Sequence, residues 1–463
     1  MRVGTLVYPI KNHTKCNVVA GGGFRVYIEK MRANIVHPGA DELIYEIREI
    51  VEVGRKLESL GVPLVWENIG DPVAKGEVLA PWLKDLIADT VMHDDKAFAY
   101  SPTKGLLDTR EFLAKVRNAE GGAQITPEDI LFFNGLGDAI SKVYTCLHPT
   151  ARVIGPNPAY STHSSAEAAH AGAPHITYAL NPRRNWLPDL EELRNKVKYN
   201  PHIAGILIIN PDNPTGMVYP EKVLREIVAI AREFDLFVVS DEIYGNIVYG
   251  EEKFVPLSQV LGDVPGLAMK GLSKEIPWPG GRCGWVEFYN KEKDPAFARY
   301  AKTLVDAKML EVCSTTLPQK VLPKIFSDPR YRAHLADRVS VYRKRADVAY
   351  EIFRKVKGVT VPKPGGAFYM SVVFDDGVLR EGQSLRIENP KAKQLVENLV
   401  KDVALDKRFV YYLMASTGIC VVPLSGFNSN LHGFRATLLE PDEAKFKKTF
   451  ETIAKAIGVY LRK

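Results

Sequence analysis

IAGILIINPDNPTGMVYPEKVLREIVAIAREFDLFVVSDEIY, residues 203–244, decides the fold class. IAGILIIN (203–210) and LFVVSDE (236–242) are short apolar runs that end in polar residues, as buried strands do. Between them, YPEKVLREIVAIAREF (219–234) sets Val223, Leu224, Ile227, Ile230 and Ala231 on one helical face, with Pro220 suited to the first turn. Strand, helix and strand in succession argue for an α/β fold around a mostly parallel sheet. Ligands of such sheets sit at the carboxyl ends of the strands. Asn210 to Asn213 and Asp241 to Tyr244 lie at those ends, so chemistry is sought there first.

Working outward, ARVIGP (151–156) and GLAMKGL (266–272) read as further buried strands. Beyond about 340 the pattern changes. A long helix over roughly 330–357 leads into GVTVPKPGGAFYMSVVF, a helix near 391–404, GICVVPL, GFRATLLE and a closing helix from Pro441. These read as a smaller α+β domain. From Asp41 to Leu60, apolar residues recur at helical spacing, and residues 40–90 are expected to pack with that domain. The resulting division is an N-terminal arm (1–40), part of the small domain and a linker (41–95), a large domain (96–345) and a small C-terminal domain (346–463).

With 463 residues, 46% of them hydrophobic, the chain can build two domains with a large core. The net charge of +6 comes from Lys and Arg interleaved with Asp and Glu, as in KFKKTFETIAK, rather than from a basic stripe. No nucleic-acid partner is expected. Cys16, Cys146, Cys283, Cys313 and Cys420 are scattered and form no CxxC pair, which argues against a disulfide framework or a metal site. The first residues lack a signal peptide's pattern, and no apolar run is long enough for a membrane span. A cytoplasmic setting is expected.

Three segments carry candidate chemistry. NPDNPTG (210–216) is a loop by composition, and by itself a strand-to-helix turn. SDEIY (240–244) puts a carboxylate at a strand end, where it needs a partner if buried. GLSKEIPWPGGRCGW (271–285) carries Lys274 and Arg282 in a Pro- and Gly-rich loop that cannot be a continuous helix. Both side chains could reach one anion, or both could be solvated.

Taken in order, Asn213, Asp241, Tyr244, Lys274, Arg282 and Arg435 resemble the series of fold-type I pyridoxal-phosphate enzymes. The resemblance is to class I/II aminotransferases, spans about residues 66–445, and implies that fold: a mostly parallel sheet with helices on both faces plus the smaller domain. It implies pyridoxal 5'-phosphate bound through an aldimine to Lys274, whose freed amine moves the Cα proton. Asp241 then pairs with the pyridinium nitrogen, Tyr244 and Asn213 with the phenolic oxygen, and Arg282 with the phosphate. In NGLGDAI (134–140), backbone N–H groups of Leu136 and Gly137 would add phosphate contacts. Tyr160 in PNPAYSTH resembles the aromatic stacked on the ring. Tyr100 resembles the tyrosine that reaches a neighbouring subunit's phosphate, which implies a homodimer with shared sites. Arg435 and Gly70 resemble the substrate-carboxylate side of the pocket, where Asn213 also belongs.

There are departures. Gly271 stands where many members carry a phosphate-binding serine, Ser273 lies beside Lys274, and Pro277 replaces a small or aliphatic residue. TGICVVPLSGF (417–427) is similar to alanine-type members, pointing to a small or neutral donor with 2-oxoglutarate as acceptor. Acidic donors stay open. The rival readings are a C–S lyase and a non-catalytic cofactor-binding sensor.

Overall fold

A computed structural model describes residues 35–43 and 46–462; the expected arm lies outside them up to residue 34. The strands are β1 (Val65–Trp66), β2 (Ile130–Phe133), β3 (Arg152–Asn157), β4 (Thr177–Asn181), β5 (Leu187–Pro188), β6 (Ile203–Ile209) and β7 (Phe237–Asp241). They continue as β8 (Gly266–Gly271), β9 (Gly284–Tyr289), β10 (Val359–Thr360), β11 (Tyr369–Phe374), β12 (Ile419–Cys420), β13 (Val422–Pro423) and β14 (Gly433–Thr437). The helices before the last strand of the large sheet are α1 (Glu46–Ser59), α2 (Pro81–His93), α3 (Leu107–Ala119), α4 (Leu136–Thr145), α5 (Ser161–Ala171), α6 (Leu190–Lys198) and α7 (Glu221–Glu233). After it come α8 (Pro295–Met309), α9 (Thr316–Ser327), α10 (Arg330–Phe353), α11 (Pro390–Leu399), α12 (Leu405–Thr417) and α13 (Glu443–Tyr460).

Eight strands form one sheet in the order β2-β9-β8-β7-β6-β3-β4-β5. Only β9 and β5 run against their neighbours, so the sheet is mostly parallel. Successive residues of a strand face opposite ways, and the packing follows that alternation. Ile206, Ile208 and Val238 join one buried cluster with Leu224, Ile227 and Val228 of α7. Leu207, Ile209, Val239, Leu267 and Met269 join another with Ile140 and Val143 of α4 and Leu304 of α8. Near-continuous apolar strands are what a sheet covered on both faces requires. Each such side chain contributes about 1.5–3 kcal/mol on burial.

The remaining layer is a four-stranded antiparallel sheet, β10-β11-β14-β13. Its core joins β11 and β14 to α10, α12, α13 and the Ile50, Val53 and Leu57 stripe of α1. β1 pairs in parallel with β12, so the chain near residue 65 is fixed against residues 419–420.

Three details differ from the sequence reading. The helix expected near 391–404 stops at Leu399, and α12 follows after Val400 to Ala404, where no helix was expected. Residues 40–90 are split, because α1 and β1 join the C-terminal layer while α2 packs against α9, with Lys324 Nζ bonded to Thr90 Oγ1 at 2.9 Å. The expected boundary at 345–346 falls inside α10, whose Tyr331 packs with the large-sheet core and whose Tyr342, Ala346 and Phe353 join the C-terminal core. Among the described residues no helix is long and apolar enough to cross a membrane.

Candidate active site

One cavity of about 990 Å³ opens at the carboxyl ends of β6, β7 and β8. Gly70, Leu136, Gly137, Tyr160, Asn213, Asp241, Tyr244, Lys274, Arg282 and Arg435 all line it. Tyr100 does not; it lies on the surface, 83% exposed.

Local structure aims each group. The NPDNPTG turn closes on itself, since Asp212 Oδ2 accepts from Thr215 N at 3.1 Å and Gly216 N donates to Asp212 O at 3.0 Å. Burial pushes the Asp212 carboxyl up to about 7. Gly216, at φ +74°, packs so tightly on β11 that a Cβ would lie 2.6 Å from Tyr369 O. Ser371 Oγ adds a 2.8 Å bond to Pro214 O. The turn is thereby pinned to the small sheet, and Asn213 Oδ1 accepts from Arg435 Nη1 at 3.0 Å.

Arg435 sits on β14 between β11 and β13. Its Nη2 donates to Asn68 O at 2.5 Å, and its guanidinium lies 4.4 Å from the Tyr369 ring centre and 4.9 Å from that of Phe427. Nε is buried with no partner. Such an unspent donor on a desolvated cation suits a carboxylate ligand.

Lys274 is half-buried, and its Nζ donates to Gly70 O at 2.8 Å. Burial, reinforced by Arg435 and Arg282, pulls the ammonium down to about 8, although Asp71 and Asp241 oppose the shift. Asp241, at the end of β7, lies 3.1 Å from His163 Nε2, and His163 Nδ1 lies 3.0 Å from Tyr144 Oη. Tyr160, on the preceding turn, packs edge-on against the same imidazole. Tyr244 Oη and Tyr369 Oη are 2.9 Å apart, and burial, with Tyr369 beside it, pushes the Tyr244 phenol up.

At the other end, the first N–H groups of α4 have no carbonyl one turn back. Arg282 reaches across to them, its Nη2 donating to Asn134 O at 3.0 Å. Gly135, at φ +81°, leaves the room, because a Cβ there would sit 2.4 Å from Arg282 Nη2. Gly271 is likewise constrained: a Cβ would meet Cys283 O at 2.8 Å. A serine does not fit at that position without movement, and Ser273 lines the cavity instead.

Sequence reasoning passed over His163, Tyr369 and Asn68. His163 stands three residues after Tyr160, within the stretch already singled out, and shares its helix face. Asn68, whose carboxamide is buried without a partner, lies two residues before Gly70. Tyr369 opens an apolar strand that reads as ordinary core and gave no signal.

Residues 71–452 match the family described as aminotransferase class I and II. An uncharacterised aminotransferase of Methanocaldococcus jannaschii is 55% identical over 432 residues, covering 93% of this chain and 100% of that protein. The glutamate-pyruvate aminotransferase of Escherichia coli K12 is 28% identical over 72% of this chain and 81% of its own length. Among solved structures, an alanine aminotransferase from Pyrococcus furiosus superposes with a TM-score of 0.78 at 26% identity, over 90% of this chain and 98% of that one.

Proposed function

The chain belongs to the class I and II aminotransferases, and from that premise we propose that it moves the amino group of an L-amino acid to 2-oxoglutarate with pyridoxal 5'-phosphate held around Lys274. One observation carries the reading: a half-buried lysine whose amine has a lowered pKa shares a cavity with an under-bonded arginine and a carboxylate at a strand end. The residues suit the cofactor. An N-terminal helix turn, a glycine that makes room for Arg282, and a carboxylate backed by a histidine are the donor and acceptor set that a phosphate and a pyridine nitrogen need. Bound there, the cofactor would supply an aldehyde for an amine and a protonated ring that draws electrons from the substrate Cα.

The chain's own residues would do the rest. Leu136 and Gly137 N–H groups, with Arg282, would take the phosphate. With Tyr144 donating to His163 Nδ1, the proton would lie on Nε2 and donate to Asp241, which would pair with the ring nitrogen. Asn213, with its oxygen committed to Arg435, keeps its Nδ2 donor, which with Tyr244 would serve the phenolic oxygen. Tyr160 would cover a ring face. Lys274 Nζ would take the proton from the substrate Cα and hold it. Arg435 would hold the substrate α-carboxylate, with Gly70 alongside.

The acceptor reading draws on α1. Arg48, Val51, Glu52 and Arg55 form one helical stripe along the cavity wall. No carboxylate pairs with Arg55 among the described residues. A five-carbon dicarboxylate held by Arg435 at one end would find a second cation there. Arg55→Ala is expected to raise KM for 2-oxoglutarate by about tenfold or more while leaving KM for pyruvate unchanged; equal KM changes would remove Arg55 from this role. The resemblance of residues 417–427 to alanine-type members favours a small neutral donor.

Tyr100 belongs to an exposed apolar patch with Phe98, Leu107, Met309, Leu310 and Val312. Ser101 and Thr103 bond to the main chain of Ser314 and Val312, which sets the two stretches side by side. A second copy covering this patch would carry Tyr100 to its neighbour's phosphate site.

The test is a half-reaction. Holoenzyme given single amino acids and no oxo acid should release one oxo acid per cofactor and stop until 2-oxoglutarate is added. Continued release of ammonia and oxo acid would mark a lyase, and no release with any amino acid would mark a sensor.

A further inference from the structure

Arg338 of α10 is 7% exposed and lies behind the loop that bears Lys274, outside the catalytic cavity. A guanidinium has five N–H donors, and here all five are used. Nη1 donates to Lys274 O at 2.9 Å and to Glu275 O at 2.5 Å. Nε and Nη2 form a forked pair with Glu77, and Nη2 also reaches Tyr342 Oη at 2.9 Å. Tyr342 Oη in turn donates to Glu77 Oε2 at 2.7 Å.

Glu77 lies seven residues after Gly70, whose carbonyl accepts from Lys274 Nζ. The stretch between them is closed by its own bonds. Asp71 Oδ1 accepts from the N–H groups of Val73 and Ala74, and Glu77 N donates to Pro72 O at 2.9 Å. Arg338 therefore grips both ends of one flexible side chain: the main chain at its root, and, through Glu77, the strap that holds its amine.

We infer that Arg338, with Glu77 as counter-ion, is a positioning residue that fixes where the Lys274 amine sits. The inference rests on Lys274 being the reacting amine. Four rotatable bonds separate the root from the amine, so a small slip of the loop moves Nζ away from Arg435 and Arg282, and a misplacement near 1 Å costs about 10²-fold in rate. Lysine cannot replace the arginine, because an ammonium lacks the planar fork that serves two carbonyls and a carboxylate together.

The test uses Arg338→Lys and the milder Glu77→Gln, which keeps every donor of Arg338. In cofactor-free protein, labelling of Lys274 by trinitrobenzenesulfonate is followed against pH and located by peptide mass. The labelling midpoint should rise by about one pH unit in either variant, toward that of an ordinary lysine. In holoenzyme, kcat should fall by about 10²-fold for Arg338→Lys with KM within about threefold. A lower melting temperature with the wild-type midpoint and wild-type kcat per folded chain would overturn the positioning role alone. Cofactor attached in the wild type to a lysine other than Lys274 would overturn both this role and the assignment beneath it.

Discussion

Lys274→Ala will keep the cofactor through its phosphate and ring contacts, lose the borohydride-reducible link, and lose turnover by about 10⁴-fold or more. The substitution removes one nitrogen with two tasks, anchoring the cofactor and carrying the Cα proton. Positioned proton transfer alone contributes about 10²–10⁴-fold, and the covalent link adds to it. Reduction followed by peptide mass reads the first loss, and single-turnover kinetics the second. Rapid turnover in the variant would sink the assignment. The wild-type amine also sets a pH dependence. Only the neutral amine attacks an aldehyde. With the ammonium near 8, about a tenth is neutral at pH 7, against about three in ten thousand for an ordinary lysine. Attachment of cofactor to cofactor-free protein should therefore speed up about tenfold per pH unit below 8 and level off above it. The sign for stability follows from the same shift. The folded state holds this proton less tightly than the unfolded chain, so the lysine costs stability below about pH 8, and that cost fades as pH rises toward the ordinary lysine value of 10.5. Cofactor-free Lys274→Ala should melt no lower than wild type at neutral pH.

Arg435→Ala should lower kcat/KM by about 10²–10³-fold for amino acids and oxo acids alike. Removing one partner of a desolvated ion pair costs about 3–5 kcal/mol, and both substrates present the same α-carboxylate. The loss should fall mainly on KM. An unchanged KM for both substrate types would contradict the assignment. Arg435→Lys should recover little, since Asn213 Oδ1 and Asn68 O are already served by two arms of a fork. Loss of Arg435 also takes a cation from beside Lys274, so the pH midpoint for cofactor attachment should move upward.

The parts of this site that could be read from sequence are those where one residue type has one physical use. A lysine and an arginine in a loop of prolines and glycines could each be solvated; their place in the ordered series from Asn213 to Arg435 is what singles them out. An aspartate at the end of an apolar strand needs company. The strand–helix–strand period at 203–244 likewise left little freedom about the large sheet. What escaped were side chains whose role arises only across the fold. Tyr369 meets Tyr244 from 125 positions away, and Arg338 meets Glu77 from 261 away. Arg338 sits in a long helix among many charges, where solvation is the ordinary fate of an arginine, and only the packing of α10 behind the loop separates it from its neighbours. The helix expected near 391–404 overran Leu399 because Val400 to Ala404 include neither glycine nor proline to end it, and α12 was not assigned at all. Gly271 was noted as a departure, and its cause, a carbonyl from the antiparallel β9 side, belongs to a strand pairing that local pattern does not reveal.

The pairing of β1 with β12 joins Val65 to Ile419, and the apolar stripe of α1 is buried by elements that are nearly all C-terminal to residue 340. A ribosome makes the first of these partners long before the second. At about 5–20 residues per second, the stripe of Ile50, Val53 and Leu57 waits about 20–70 s for the chain that covers it. During synthesis the segment that becomes one wall of the cavity thus has its apolar side chains without their folded partners, and α1, at 14 residues, is too short to hold its helix well before they arrive.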